Sequence, residues 1–216
     1  VPDWRPFMKH LRQPIIVVDT ETTGLFSKHR WAEVWDLAAV LCDEEGRILS
    51  EFQAIIKRDE IPPQAAEGLK ISGLTIDGVM AMMAAEGESL GDVVERFEAW
   101  MKQCDNATIT SFNTEFDRAG IQKLGQPLHG LPWGPCVMKT AMAIMGPSGK
   151  LRPADKRHRS FNPRTPWLFP KQSACAEHFG VPLYEPAHRA MADCKTAAGI
   201  WHAIRLHAEA AVKESE

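Results

Sequence analysis

The chain has 216 residues, 44% of them hydrophobic and 25% charged, with a formal net charge of −3 at pH 7. That suffices for one well-cored domain and is short for two; the near-neutral balance excludes a global pull toward polyanions, so any grip on nucleic acid must come from local patches or from metal. The five cysteines, Cys42, Cys104, Cys136, Cys175 and Cys194, are scattered and never spaced Cys-x-x-Cys. This argues against a zinc knuckle or a disulfide framework and fits a cytoplasmic location, as do the lack of a membrane-length apolar run and of a signal-peptide core.

Val1 to Gln13 is a lead-in without a clear period. Ile15 to Val18 are four uninterrupted β-branched residues, the pattern of a strand buried on both faces, and the strand runs into Asp19-Thr20-Glu21. Side chains alternate along a strand, so Asp19 and Glu21 project to the same side. Two carboxylates that close repel one another unless one is protonated or a divalent cation compensates both, and an all-oxygen donor set favours magnesium or manganese. The stretch also reads as a strand ending in an ordinary turn at Thr22, Thr23 and Gly24, and by itself it leaves both readings open.

After a loop from Phe26 to Arg30, Trp31 to Cys42 and Ile48 to Ile56 read as two strands. Asp43-Glu44-Glu45-Gly46-Arg47 between them is a hairpin-length turn, which pairs them antiparallel. Ile61 to Gly78 is an irregular connector, and Met80, Met82 and Met83 after it suit adaptable packing. Gly91 to Gln103 carries Val93, Val94, Phe97, Trp100 and Met101 at helical spacing. Ala107 to Phe112 reads as a short strand and Thr114 to Leu124 as a helix, an alternation that points to an α/β sheet.

At that junction lies Asn113-Thr114-Glu115-Phe116-Asp117. Thr114 and Asp117 approximate a capping box, which accounts for the acid in isolation. Beside the opening strand, Asp117 is also a third carboxylate at a sheet edge, where α/β folds put their sites. Cys136 to Met145 forms another helix. Gly146 to Pro170 is a long Pro- and Gly-rich loop with Lys150, Arg152, Lys156, Arg157, Arg159 and Arg164 interleaved with Phe161 and Trp167. It reads either as a grip on phosphates and stacked bases or as a solvated loop. Lys171 to Phe179 is a short helix. His188-Arg189-Ala190-Met191-Ala192-Asp193 then opens a long last helix, with His188 at its entrance and Asp193 one turn in.

Asp19-x-Glu21-Thr22-Thr23-Gly24, Asn113-x-x-Phe116-Asp117 and His188-x-Ala190-x-x-Asp193, in this order, resemble the three exonuclease motifs of the DEDDh superfamily. Ile71-Ser72-Gly73-Leu74-Thr75 and Cys136-Val137-Met138-Lys139-Thr140 resemble its connecting segments. The similarity covers Ile15 to Ile204. It departs from the pattern at Ser111-Phe112 and Ser72, where family members often carry histidine, and in the length of the basic loop.

The resemblance implies an α/β, ribonuclease H-like fold: a mixed five-stranded sheet with helices on both faces. It implies a 3′-to-5′ exonuclease that hydrolyses single-stranded DNA or RNA and releases nucleoside 5′-monophosphates with two Mg²⁺ or Mn²⁺ ions. Asp19, Glu21, Asp117 and Asp193 are then the metal ligands and His188 the general base. Thr22, Thr23, Gly24, Leu25, Asn113 and Phe116 would seat the terminal nucleotide, while Lys156, Arg157 and Arg159 hold the strand upstream. A non-catalytic nucleic-acid-binding subunit that keeps the fold is the alternative; a glycosidase with paired carboxylates leaves Asp117, His188 and Asp193 idle. Homodimerisation and association with a polymerase both stay open, although with only Glu209 to Glu216 at the end no separate C-terminal polymerase-binding domain is expected.

Overall fold

A computed structural model of the chain describes residues 13–26, 31–104, 107–158, 162–163, 166–186 and 188–214. The lead-in up to residue 12, loop residues 27–30 and the basic-loop residues Arg159, Phe161 and Arg164 lie outside them.

The apolar run forms β1 (Ile15–Thr22), an interior strand whose residues Ile15, Ile16, Val17 and Val18 are all buried. β2 (Val34–Cys42) pairs antiparallel with β1, and β3 (Ile48–Ile56) antiparallel with β2. In the turn between them the Asp43 carboxylate accepts from the Glu45 and Arg47 N–H groups, and Gly46 takes a φ of 80°, which a side chain would resist. The stretch after Ile61 is more regular than its sequence suggests. It holds a 3₁₀ turn (Pro63–Ala65), α1 (Ala66–Ile71) and α2 (Ile76–Glu86), started by Thr75 accepting from the Gly78 N–H. Their short, weakly amphipathic faces pack Leu69, Val79 and Met83 around Trp35 and Ile55, so the methionines are packing residues.

A two-residue strand, β4 (Gly87–Glu88), pairs parallel with β3, and α3 (Leu90–Gln103) follows, capped by Ser89. β5 (Thr108–Thr110) pairs parallel with β1, giving the sheet order β4-β3-β2-β1-β5. α4 (Thr114–Leu124) and α3 cover one face over Ile16, Val18, Leu37 and Ala39. α5 (Val137–Met145), α6 (Gln172–Phe179) and α7 (Ala190–Lys213) cover the other, over Ile15, Val17, Ala38 and Val40. The fold is thus a mixed five-stranded sheet with helices on both faces.

The basic loop is not a structureless connector. Pro153 bridges Trp167 in antiparallel fashion, Ala154 N–H donates to the Pro166 carbonyl, and Leu168 N–H to that of Arg152. Trp167 lies with one ring edge against Gly146, where a Cβ would collide with it, so this aromatic helps anchor the base of the loop.

α4 approaches β1 closely because Gly120 has no side chain. A Cβ there would lie 2.9 Å from Thr20 Oγ1 and 3.3 Å from Phe26 and Val34. In an open helix Gly→Ala gains roughly 0.5–1 kcal/mol. Here Gly120→Ala is expected to lose about 1–3 kcal/mol, because the intruding methyl forces backbone or Thr20 to shift. Urea unfolding measures the sign, and a gain in stability would contradict the close approach.

Candidate active site

The site is built where β5 stops. β5 pairs only with Ile15, Ile16 and Val17, so beyond that point β1 has no strand neighbour on this side. A buried backbone N–H left there needs an acceptor, and Asp117 from the first turn of α4 supplies it. Its Oδ1 accepts from the Thr20 N–H at 3.0 Å and from Thr20 Oγ1 at 2.9 Å. Asp117 thus ties the helix start to β1, and its carboxylate also accepts from the backbone of the N-cap residue Asn113. Asn113 stands at the N-cap of α4 without a side-chain cap bond, and its carbonyl accepts from the Phe116 and Asp117 N–H groups. Thr114 instead donates weakly to the Ser111 carbonyl, at 3.4 Å.

Asp19 and Glu21 project from the same side of β1 toward α7. That helix can approach because it turns small residues, Ala190, Cys194 and Ala197, to the sheet, and Cys194 Sγ donates to the Ala38 carbonyl. Its start brings in the third motif. His188 is exposed, with φ at 60°, and Asp193 N–H donates to the Arg189 carbonyl in the first turn. Ligand atoms of Glu21, His188 and Asp193 all lie within 4.8 Å of one another.

Electrostatics show the strain. Burial pushes the Asp19 carboxyl well above its usual range, and the charges of Asp117, Glu21, Asp193 and Asp36 push it further. Glu21 rises from 4.5 to about 8, first through burial, then through Asp193, Asp36 and Asp117. Asp117 rises to about 6 through burial, against the pull of hydrogen bonds from Ser111, Thr20 and the Asn113 backbone. Asp193 is raised by burial and partly relieved by His188. Glu21, Asp193 and the His188 imidazole form a donor set that fits a divalent cation, and the charges of Asp19 and Asp117 beside it add repulsion that a cation would offset.

Beside the acids opens a cleft of about 870 Å³ lined by Thr22, Thr23, Gly24, Leu25 and Phe116, with Trp31, Gln64 and Ile71 on further walls. Leu25 and Ile71 expose 40% and 83% of their surface, leaving apolar side chains free to meet a ligand. Phe116 packs on Phe26 with ring centroids 5.6 Å apart. The Thr23 N–H is already donated to the Glu33 carbonyl and Thr23 Oγ1 accepts from Glu33 N–H, so Thr23 shapes the loop. Lys156 and Arg157 are exposed in the basic loop and are not among the described residues lining the cleft; Arg159 lies outside the description.

The motif pattern missed Asp36, which sits opposite Glu21 on β2 and is fully buried. A charge in the otherwise apolar run Val34 to Cys42 was the available signal. Arg189, its ion-pair partner at 2.8 Å, was hidden between two motif residues.

The raised carboxylates fix the sign of a pH effect. The folded chain holds these protons more tightly than the unfolded chain, so their stabilising contribution is full below the ordinary carboxylate range. It is lost as pH rises toward about 6 for Asp117 and about 8 for Glu21. Metal-free protein should therefore melt lower at pH 8 than at pH 6, millimolar Mg²⁺ should narrow the gap, and Glu21→Gln should flatten it. A melting temperature independent of pH and metal across this range would contradict the strained cluster.

No family model and no curated protein matches the sequence. Solved structures do match its fold. E. coli exonuclease I in complex with a dT13 oligonucleotide superimposes with a TM-score of 0.65 at 16% identity, covering 94% of this chain and 43% of that one. Cell-death related nuclease 4 (CRN-4) gives 0.60 at 15% identity over 88% and 62%. The nuclease domain of 3′hExo, described as a DEDDh family member bound to rAMP, gives 0.58 at 16% over 92% and 93%. The chain thus spans less than two thirds of exonuclease I and CRN-4 and nearly the whole 3′hExo domain. Its architecture is the ribonuclease H-like fold of the DEDDh exonucleases, the superfamily its three motifs resemble.

Proposed function

We propose that the chain is a metal-dependent 3′-to-5′ exonuclease that hydrolyses the terminal phosphodiester of single-stranded DNA or RNA and releases nucleoside 5′-monophosphates. The observation that supports this reading is the approach of Glu21, His188 and Asp193 to within 4.8 Å of one another, with the charges of Asp19 and Asp117 acting on the same acids, beside a cleft of nucleotide dimensions that Glu21 helps to line.

Asp19, Glu21, Asp117 and Asp193 would hold two Mg²⁺ or Mn²⁺ ions. Bound there, divalent ions lower the pKa of a water and neutralise charge developing on the phosphoryl oxygens. His188, exposed and within reach of Glu21 and Asp193, takes the proton of the attacking water on a ring nitrogen. Leu25 and Phe116 pack against the terminal nucleoside, and Thr22, Gly24 and Asn113 border the place where its sugar and phosphate lie. Thr23 keeps the loop in shape through Glu33. The dT13 oligonucleotide bound to exonuclease I and the rAMP bound to the 3′hExo domain are ligands of this class.

Incubation of end-labelled single strands with Mg²⁺ tests the activity, and stepwise loss from the 3′ end is expected. Asp19→Asn should abolish it while raising the stability of metal-free protein, because the substitution removes both a ligand and a repelling charge. His188→Ala should lower turnover about 10²–10⁴-fold without loss of metal binding. Retained turnover in Asp19→Asn would sink the reading.

The basic loop belongs to the same proposal. Phosphate contacts release counterions, so neutralising Lys156, Arg157 and Arg159 together should flatten the salt dependence of binding to long single strands. Dinucleotide cleavage should barely change; equal losses on both substrates would place the loop at the reacting end instead.

A further inference from the structure

Asp36 is the acid at the site that neither the motifs nor the proposed chemistry uses. It lies on β2 opposite Glu21, with none of its surface exposed. A carboxylate so withdrawn from water is costly unless paired. Its Oδ2 accepts from Arg189 Nε at 2.8 Å and from the Ala190 N–H at 3.4 Å, while Oδ1 has no hydrogen-bond partner among the described residues. Both donors belong to the entry of α7, immediately after His188. Among the described residues His188 is the one non-glycine residue with positive φ, at 60°. That conformation is unfavourable for an L-residue and persists where its surroundings over-determine it.

We infer that Asp36, acting through Arg189 and the Ala190 N–H, is a positioning residue: it clamps the entry of α7 to the sheet and so sets where His188 and Asp193 stand relative to Glu21. The inference rests on the reading that those residues carry out hydrolysis. Its geometry is specific. The ion pair ties β2 to the segment joining the two catalytic positions of the third motif, and it does so from beneath the site. A carboxylate kept there only to fill space would have been replaced at lower cost by an apolar side chain, like its buried neighbours Trp35 and Leu37.

The test uses Asp36→Asn, which keeps volume and an acceptor but removes the charge, Arg189→Gln, and the double variant. On a short oligonucleotide each single change is expected to lower kcat about 10- to 100-fold with KM nearly unchanged, the signature of misplaced catalytic groups. The double variant should be no worse than the poorer single, because the two act as one unit. Losses that multiply in the double variant, or a lowered melting temperature with unchanged kcat, would overturn the clamp. Amide hydrogen exchange over residues 190–194 gives a second readout, expected about tenfold faster in either single variant. Unchanged protection would also overturn it. Faster exchange with no cleavage by the unaltered chain would support the clamp and refute the exonuclease reading. Arg189 has a quarter of its side chain exposed; should Asp36→Asn fail to fold, Arg189→Gln carries both readouts alone.

Discussion

Mutual repulsion among carboxylates at the end of β1 is the constraint to which the surrounding structure answers. Burial raises the proton affinity of Asp19 and Glu21, and the charges of Asp117, Asp193 and Asp36 around them raise it further. Such a cluster persists only because each acid is fixed by an element whose own stability lies elsewhere. Asp19 and Glu21 sit on a strand anchored by four buried β-branched residues. Asp117 is held by two hydrogen bonds from Thr20. Asp193 rides on a 24-residue helix whose inner face is packed along most of its length.

Two features of packing make the convergence possible. β5 is short, and its early end frees the Thr20 N–H for a side-chain acceptor instead of a fifth-strand carbonyl. Small residues where helices meet the sheet, Gly120 on α4 and Ala190, Cys194 and Ala197 on α7, let two helices on opposite faces bring acids to the same strand end. Neither feature is catalytic in itself. Both set distances, and distances decide whether carboxylates can share a cation.

Much of this was legible in the residues. The β-branched run before Asp19 announced a buried strand, and the helix at 91–103 announced itself by apolar residues at helical spacing. Of the motif residues, Glu21, His188 and Asp193 come within 4.8 Å of one another, and Glu21, Thr22, Thr23, Gly24 and Phe116 line the cleft. What stayed hidden had physical reasons. α1 and α2 have weak amphipathic faces and glycines within them, so they read as loop; β4 has two residues, too few for any period. The bond from Thr20 to Asp117 could not be read locally, because the two residues are 97 positions apart. Asp36 belongs to no spacing pattern, and its importance follows from a pairing register that only the folded sheet provides.

The central claim is that this cluster is strained without metal and relieved by it. Calorimetric titration of Mn²⁺ into the protein at pH 7, repeated in buffers of different ionisation enthalpy, measures both binding and the protons it displaces. With Glu21 titrating near 8 and Asp19 raised as well, the metal-free site carries protons at this pH that a cation must expel. Binding accompanied by proton release, and loss of that release in Asp19→Asn, is the predicted result. Saturable binding with no proton release, or no binding at millimolar metal, would contradict the account.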